Sequence, residues 1–327
     1  MNDMNDQNSP FEDITALINS VPQRDNDCAE KLSEVLEADV LRCLGDLGDP
    51  VTWLAGWQGT LRPDITRPLV AVFVGSHGVA ETVIGTDPSK GAAARVKLLS
   101  EGPASVRSLA TTAEAAFKIF ELGTEVPCAD MTKEPSLSEK DCAAAVAFGM
   151  EVVAEGADLI VLGNAGYGAA TAAAAIARSL YGGQTEYWAG GSAEIAPRRI
   201  AAVSEAARLH SDAIKSPLDV LARMGGRDIS GMVGAILAAR HQHIPVMLDG
   251  FVSCAAAAVL HAVNPDAIAH CYAAHATREP GHKAILDRIG KTPLLDLGIG
   301  VGDGSGGILA MGMIRSACRA ATLMSDG

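Results

Sequence analysis

The stretch Ala157–Leu180 reads ADLIVLGNAGYGAATAAAAIARSL, and the order of its parts decides the fold. Leu159–Leu162 is a short, uninterrupted aliphatic run that ends at a glycine, which predicts a strand buried on both faces. Gly163-Asn-Ala-Gly-Tyr-Gly168 then predicts a glycine turn, and Ala169 onward an alanine-rich helix. A strand that delivers a glycine nest to a helix N-terminus presents backbone N–H groups and the positive end of the helix dipole, so an anion such as phosphate suits Gly166, Tyr167 and Gly168. The Lys-Ser/Thr ending of a triphosphate-binding loop is absent. Leu159–Ala177 is also the longest uncharged stretch of the chain, but its glycines and alanines read as strand, turn and helix rather than as a membrane span.

The same unit recurs outward from this point. Pro68 introduces the apolar run Leu69–Val74, which ends at Gly75-Ser76-His77-Gly78, and Pro245–Leu248 runs into Asp249-Gly250. Ala116–Leu122 and Ile268–His275 are shorter strand candidates. Between them lie helical segments, among them Ser138 to about Glu155, Arg198–His210, residues 228–240 and Ser253–Val263. On the N-terminal side, Leu32, Val35, Leu36, Val40, Leu41 and Leu44 recur at helical spacing before Gly45 and Gly48. Short apolar strands alternating with helices imply an α/β chain with a mostly parallel sheet covered on both faces.

Ligands of such sheets bind beyond the carboxyl ends of the strands. Four loops are expected there: Gly75–Gly78, Gly163–Gly168, Asp249–Gly250 and Gly298–Gly307. The last belongs to Pro293–Ala310, PLLDLGIGVGDGSGGILA, in which Asp303 is a lone carboxylate among glycines. Gly302–Gly307 matches G-x-G-x-x-G, yet the chain after it has no room for the second strand of a dinucleotide fold, and no nicotinamide cofactor is expected. A phosphate held by the helix that opens near Ile308, or a permissive turn, are the remaining readings. His77 reads as a ligand or base, or equally as a buried supporting histidine. The histidines lack the i, i+4 spacing of a zinc pair, and no metal is expected.

Composition narrows the function classes. Net charge is −13, with 12 acidic against 3 basic residues in the first fifty, and no basic stripe. That disfavours nucleic acid and anionic membranes as partners and leaves small molecules or proteins. The seven scattered cysteines form no C-x-x-C pair and read as reduced thiols. The polar opening MNDMNDQNSPFED carries no secretory or organellar signal, so a cytoplasmic location is expected.

Five segments together resemble one family: Trp53–Val79, Asp158–Gly183, Pro245–Pro265, Arg278–Gly298 and Gly302–Gly307. They look like the landmarks, in order, of the nicotinate-nucleotide:dimethylbenzimidazole phosphoribosyltransferases. The resemblance implies a Rossmann-like three-layer sandwich plus a smaller, mainly helical lobe. Residues 1–60 would form part of that lobe and 61–327 the α/β core, with C-terminal helices completing the lobe. It implies a homodimer without cofactor, nicotinate mononucleotide as donor and a benzimidazole as acceptor, giving α-ribazole 5′-phosphate. In the family a glutamate in the last glycine loop takes the acceptor's proton; here that position is Asp303. The resemblance puts the donor phosphate on Gly166, Tyr167 and Gly168 with Arg199 as basic partner. Ser76 and His77 would face the base, and Asn164, Gly302, Gly304 and Ser305 would complete the substrate site. The chain also departs from the family. Asn164 stands at a glutamate position, Gly300 at an arginine, and Ala93 and Ala94 where glutamine is expected. The N-terminal K-P-x-G-S-L-G landmark is missing around Leu44–Gly48. A catalytically degenerate paralogue that partners an active subunit is the alternative these departures raise.

Overall fold

The computed structural model describes residues 9–37 and 44–325. Among them, five strands form one parallel sheet: β1 (Pro68–Gly75), β2 (Ala116–Leu122), β3 (Leu159–Asn164), β4 (Val246–Leu248) and β5 (Cys271–Ala273). Their spatial order is β2-β1-β3-β4-β5. The chain starts at β1, places β2 on one side, then crosses back to build β3 to β5 on the other. Strand order therefore reverses between β1 and β3, the switch point at which doubly wound sheets open a crevice.

Every residue of β1, β3 and β4 is buried, as their near-continuous apolar runs require. Leu69, Ala71 and Phe73 pack on one face, and Val70, Val72 and Val74 on the other. Each large aliphatic side chain so buried contributes about 1.5–3 kcal/mol before entropy is counted. The edge strand β2 leaves Ala116, Lys118 and Glu121 outward, and its charges discourage further strand pairing.

The helices are α1 (Pro10–Asn19), α2 (Asn26–Glu37), α3 (Gly48–Gln58), α4 (Val79–Ile84), α5 (Pro88–Ser100), α6 (Ser105–Thr112), α7 (Glu139–Met150), α8 (Ala169–Tyr181), α9 (Thr185–Trp188), α10 (Ala196–His210), α11 (Pro217–Met224), α12 (Arg227–His241), α13 (Phe251–Val263), α14 (Pro280–Arg288) and α15 (Ser305–Ser325). The face of Leu69 and Phe73 is covered by α7, α8, α12 and α13. The opposite face is covered by α3, α6 and α15. The result is a three-layer α/β sandwich. Within it, α7 and α12 touch backbone to backbone, because a Cβ on Gly234 would come 1.9 Å from Val146 O and one on Gly149 1.8 Å from Gly231 O.

Most of the expected elements stand where periodicity put them, including Ala116–Leu122 at its full length. Three details come from the structure. Residues 182–193 contain the short helix α9. Pro293–Leu297 forms no strand; it runs beside the end of β5 through the His275–Leu295 bridge and the Leu294 N–H bond to Ala273 O. The last helix begins at Ser305, earlier than Ile308. The tail 1–8 and the apolar positions Val40 and Leu41 lie outside the described residues. No helix among the described residues is long and apolar enough to cross a membrane.

Gly234→Ala is expected to force α7 and α12 apart and to cost at least about 1–3 kcal/mol, the usual range for overpacking. Chemical denaturation of the two proteins reads this directly. Gly312→Ala, on open space in α15, is the control and is expected to gain about 0.5–1 kcal/mol from helix propensity alone.

Candidate active site

The chains leaving β1 and β3 stay zipped together beyond the sheet. Tyr167 N–H donates to Gly75 O (2.9 Å) and His77 N–H to Tyr167 O (3.1 Å). Beneath them lies Asp228, fully buried in the first turn of α12. Its Oδ1 is 2.9 Å from His77 Nε2 and accepts the Ile229 N–H; its Oδ2 accepts from Asn164 Nδ2 at 2.9 Å. The Asn164 Oδ1 in turn accepts the Gly166 N–H at 2.9 Å. One carboxylate thus ties both strand ends to a third helix. A Cβ on Gly166 would come 2.0 Å from Asp228 Oδ2, so the turn needs glycine to lie this close.

The buried pair is charged. Burial works against the His77 imidazolium, but Asp228 beside it, aided by Cys128, holds its pKa up at about 10. Burial likewise opposes the Asp228 carboxylate, and His77 with the bonds from Asn164 and Ile229 outweighs that, so its pKa is lowered. His77 therefore supports the switch point from below, its buried imidazole paired with Asp228. Ser76 is buried with it, and its Oγ has no partner among the described residues.

A second buried carboxylate, Asp249, organises the last glycine loop. Its Oδ2 accepts the Gly304 N–H (2.9 Å) and its Oδ1 the Gly307 N–H (2.6 Å), with His275 Nε2 at 3.4 Å. Asp249 thus meets the positive end of α15 with a carboxylate of the chain itself. Gly304, at φ +102°, is buried against Val70, and Ser305 faces Ser105 at 3.3 Å; both serve the loop's anchorage and neither lines the cleft. The loop is stitched to β3 by Asn164 N–H to Gly302 O (2.7 Å). Gly163 permits this: its Cβ would lie 2.5 Å from the Asp303 carbonyl carbon. Asp303 is half-buried, and its Oδ1 accepts the Ser305 N–H at 3.1 Å. Its Oδ2 makes no protein hydrogen bond among the described residues.

Between these loops opens a cleft of about 140 Å³. It is lined by Asn164, Ala165, Gly166, Ala169 and Ala170 after β3, by Gly300 and Gly302 of the last glycine loop, by Phe251, Val252, Thr277 and Glu279, and by Arg95 of α5. The Gly166 and Tyr167 amides are already bonded; the amides of Gly168 and Ala170, at the α8 N-terminus, make no bond among the described residues. Gly168, at φ +96°, turns the chain into that helix. Arg199, in the first turn of α10, gives Nη1 to both oxygens of Glu279 (3.1 and 3.3 Å), while its Nε is buried without a partner. Thr277 is pinned by His282, whose Nδ1 accepts the Thr277 N–H at 2.9 Å. Burial, with His275 nearby, pushes His282 down to about 3, so it is neutral and can accept.

Of the expected site residues, the structure gathers Asn164, Gly166, Tyr167, Gly168 and Gly302 at or beside the cleft, with Arg199 reaching it through Glu279. Asp303 lies in the adjoining loop. Arg95, Thr277 and Glu279 were not anticipated. Glu279 opens α14 at a Glu-Pro helix start, a legible signal, but nothing local in the sequence tells that it meets Arg199, eighty residues away. No cluster of metal-ligating side chains is found among the described residues.

Fold and cleft define an α/β protein whose small-molecule site sits at a sheet switch point, beside a helix N-terminus with unspent amides. A phosphoribosyltransferase family model matches residues 21–326. A nicotinate-nucleotide–dimethylbenzimidazole phosphoribosyltransferase of Brucella anthropi is 45% identical over 315 residues, covering 94% of this chain and 93% of that protein. The enzyme of the same name from Sinorhizobium medicae is 42% identical with the same coverage. A crystal structure of the Thermus thermophilus protein so titled superposes with a TM-score of 0.83 at 30% identity, covering 91% of this chain and 96% of that one. The chain belongs to the nicotinate-nucleotide–dimethylbenzimidazole phosphoribosyltransferase family.

The charged pair gives folding a pH dependence of known sign. His77 ordinarily titrates near 6.5 and is raised in the fold, so its contribution is complete below about pH 6.5 and gone once pH has risen through about 10. Asp228, lowered in the fold, contributes above the ordinary carboxylate range and loses this as pH falls through its lowered value. Melting temperature measured from pH 6 to 10 is expected to fall less steeply for His77→Gln than for the parent protein. Asp228→Asn, which leaves His77 buried without a counter-charge, is expected to cost about 3–5 kcal/mol at pH 7.

Proposed function

We propose that the chain transfers the phosphoribosyl group of nicotinate mononucleotide to 5,6-dimethylbenzimidazole or a similar base, giving α-ribazole 5′-phosphate and nicotinate. The observation that carries the reading is the cleft itself, in a chain of this family. It joins an α8 N-terminus with unspent amides to a loop bearing Asp303, with Arg199 and Glu279 at the side. The donor phosphate is read at Gly168–Ala170, where the amides of Gly168 and Ala170 are free, with Gly166 and Tyr167 shaping the turn. Arg199 is read as its basic partner, acting from beside the cleft, where its Nη1 holds Glu279.

In this reading a ring nitrogen of the acceptor attacks C1′ of the ribose from the face opposite nicotinate. The C1′–N bond to nicotinate breaks, its electron pair leaves with nicotinate, and configuration inverts from β to α. Asp303, through its unbonded Oδ2, accepts the proton of the acceptor ring. Backbone dipoles around the loop keep it oriented, and Asn164 supplies dipole rather than charge at the place where the family carries a glutamate. Cationic character building at C1′ is then stabilised by Asp303 and Glu279.

The degenerate-partner alternative is not favoured, since relatives 42–45% identical over nearly the whole chain bear the enzyme's name. We further read the chain as a cytoplasmic homodimer. We read residues 1–60 with the C-terminal helices as the smaller lobe; α3 and α15 do share one apolar cluster, but it also packs on β1, and α1 packs instead with α7 and α13.

Incubation with nicotinate mononucleotide and 5,6-dimethylbenzimidazole is expected to yield α-ribazole 5′-phosphate and nicotinate in equal amounts; absence of both products overturns the reading. Asp303→Asn is expected to lower kcat by about 10²–10⁴ while leaving donor binding intact, the signature of lost general-base catalysis.

A further inference from the structure

Helix α5 brings a cation to the cleft that neither the motifs nor the chemistry above employs. Its first turns are docked on the glycine nest. Gly91 lies against the Tyr167 ring, where a Cβ would come 2.4 Å from Cδ1, and the Tyr167 hydroxyl bonds Thr86 Oγ1 at 2.5 Å just ahead of the helix. Four residues after Gly91, one turn farther along the same face, stands Arg95. It lines the cleft together with Gly166, Ala169, Ala170, Gly300 and Gly302. A Cβ on Gly300 or Gly302 would meet nothing within 4 Å, so the loop that shares the cleft with Arg95 is uncrowded there. Arg95 is exposed and makes no hydrogen bond or ion pair among the described residues. The other charge lining the cleft, Glu279, is already matched by Arg199. Arg95 and the α8 N-terminus are therefore both positive and both unspent.

We propose that Arg95 binds the 5′-phosphate of the mononucleotide donor from the α5 side, and that it sets the preference for a phosphorylated over an unphosphorylated donor. A guanidinium pairs with two phosphate oxygens at once, and the helix end opposite it supplies amide donors to the third. The inference rests on the reading of the chain as a transferase with a mononucleotide donor. Such a donor carries a second anionic group, the nicotinate carboxylate, so three ligands separate the two: nicotinate mononucleotide, nicotinamide mononucleotide without the carboxylate, and nicotinate riboside without the phosphate.

Calorimetric titration of the full chain with each ligand, alongside turnover, is the test. Arg95→Ala is expected to weaken both mononucleotides about ten- to a hundredfold and to leave the riboside unchanged. Donor KM should rise accordingly with kcat within about threefold, Arg95→Lys should recover part of the loss, and the melting temperature should not move because Arg95 is exposed. Unchanged binding of nicotinate mononucleotide by Arg95→Ala overturns the proposal. So does a loss confined to the two nicotinate ligands, which assigns Arg95 to the carboxylate. Parent protein that binds mononucleotides through Arg95 but forms no product defeats the transferase reading and leaves the Arg95 assignment standing; failure of the parent to bind any mononucleotide overturns both.

Discussion

The architecture of the site depends on Asp228, a carboxylate buried at the start of α12 beneath the place where strand order reverses. A charge in that position is tolerable only when its lone pairs are all engaged. His77 from the end of β1, Asn164 from the end of β3 and its own helix's Ile229 amide engage them. The cost of burying Asp228 thereby becomes a constraint on geometry: neither strand end can shift without leaving a buried charge unmatched. The nest at Gly166–Gly168 inherits its position from this network through the Asn164 side chain.

Asp249 plays the parallel part on the other side of the cleft. By accepting the Gly304 and Gly307 amides it neutralises the positive end of α15 and anchors the glycine loop. Two helix N-termini beside the glycine loops have opposite fates: that of α15 is filled from within by the Asp249 side chain, and that of α8 keeps the Gly168 and Ala170 amides unbonded among the described residues.

Asn164 is fully employed in joining Asp228 to Gly166, so the switch-point loop presents dipoles rather than charge to the cleft. Charge enters the cleft instead from elements that pack around it: Glu279 with Arg199 at the start of α14 and α10, and Arg95 from α5. Their placement is rigid for local reasons. Neutral His282 pins Thr277 beside Glu279, and Tyr167 pins α5 at Gly91.

Local pattern alone determined the sheet. Uninterrupted apolar runs such as Leu69–Val74 and Leu159–Leu162 can be satisfied only by burial on both faces, and glycines after each run mark where the chain turns toward a ligand. Those features are carried by neighbours in sequence, so the strands, most helices and the glycine loops after the strands were legible. The tertiary structure decided which polar groups remain available. His77, Gly304 and Ser305, read as site residues, are bonded to Asp228, Asp249 and Ser105, and Arg95 and Glu279, which no local pattern singles out, line the cleft. The physical reason is that hydrogen-bond partners here are far apart in the chain, 64 residues for Asn164 and Asp228 and 55 for Gly304 and Asp249. A residue type announces its capacity to bond, but only the packed chain shows whether that capacity has already been used.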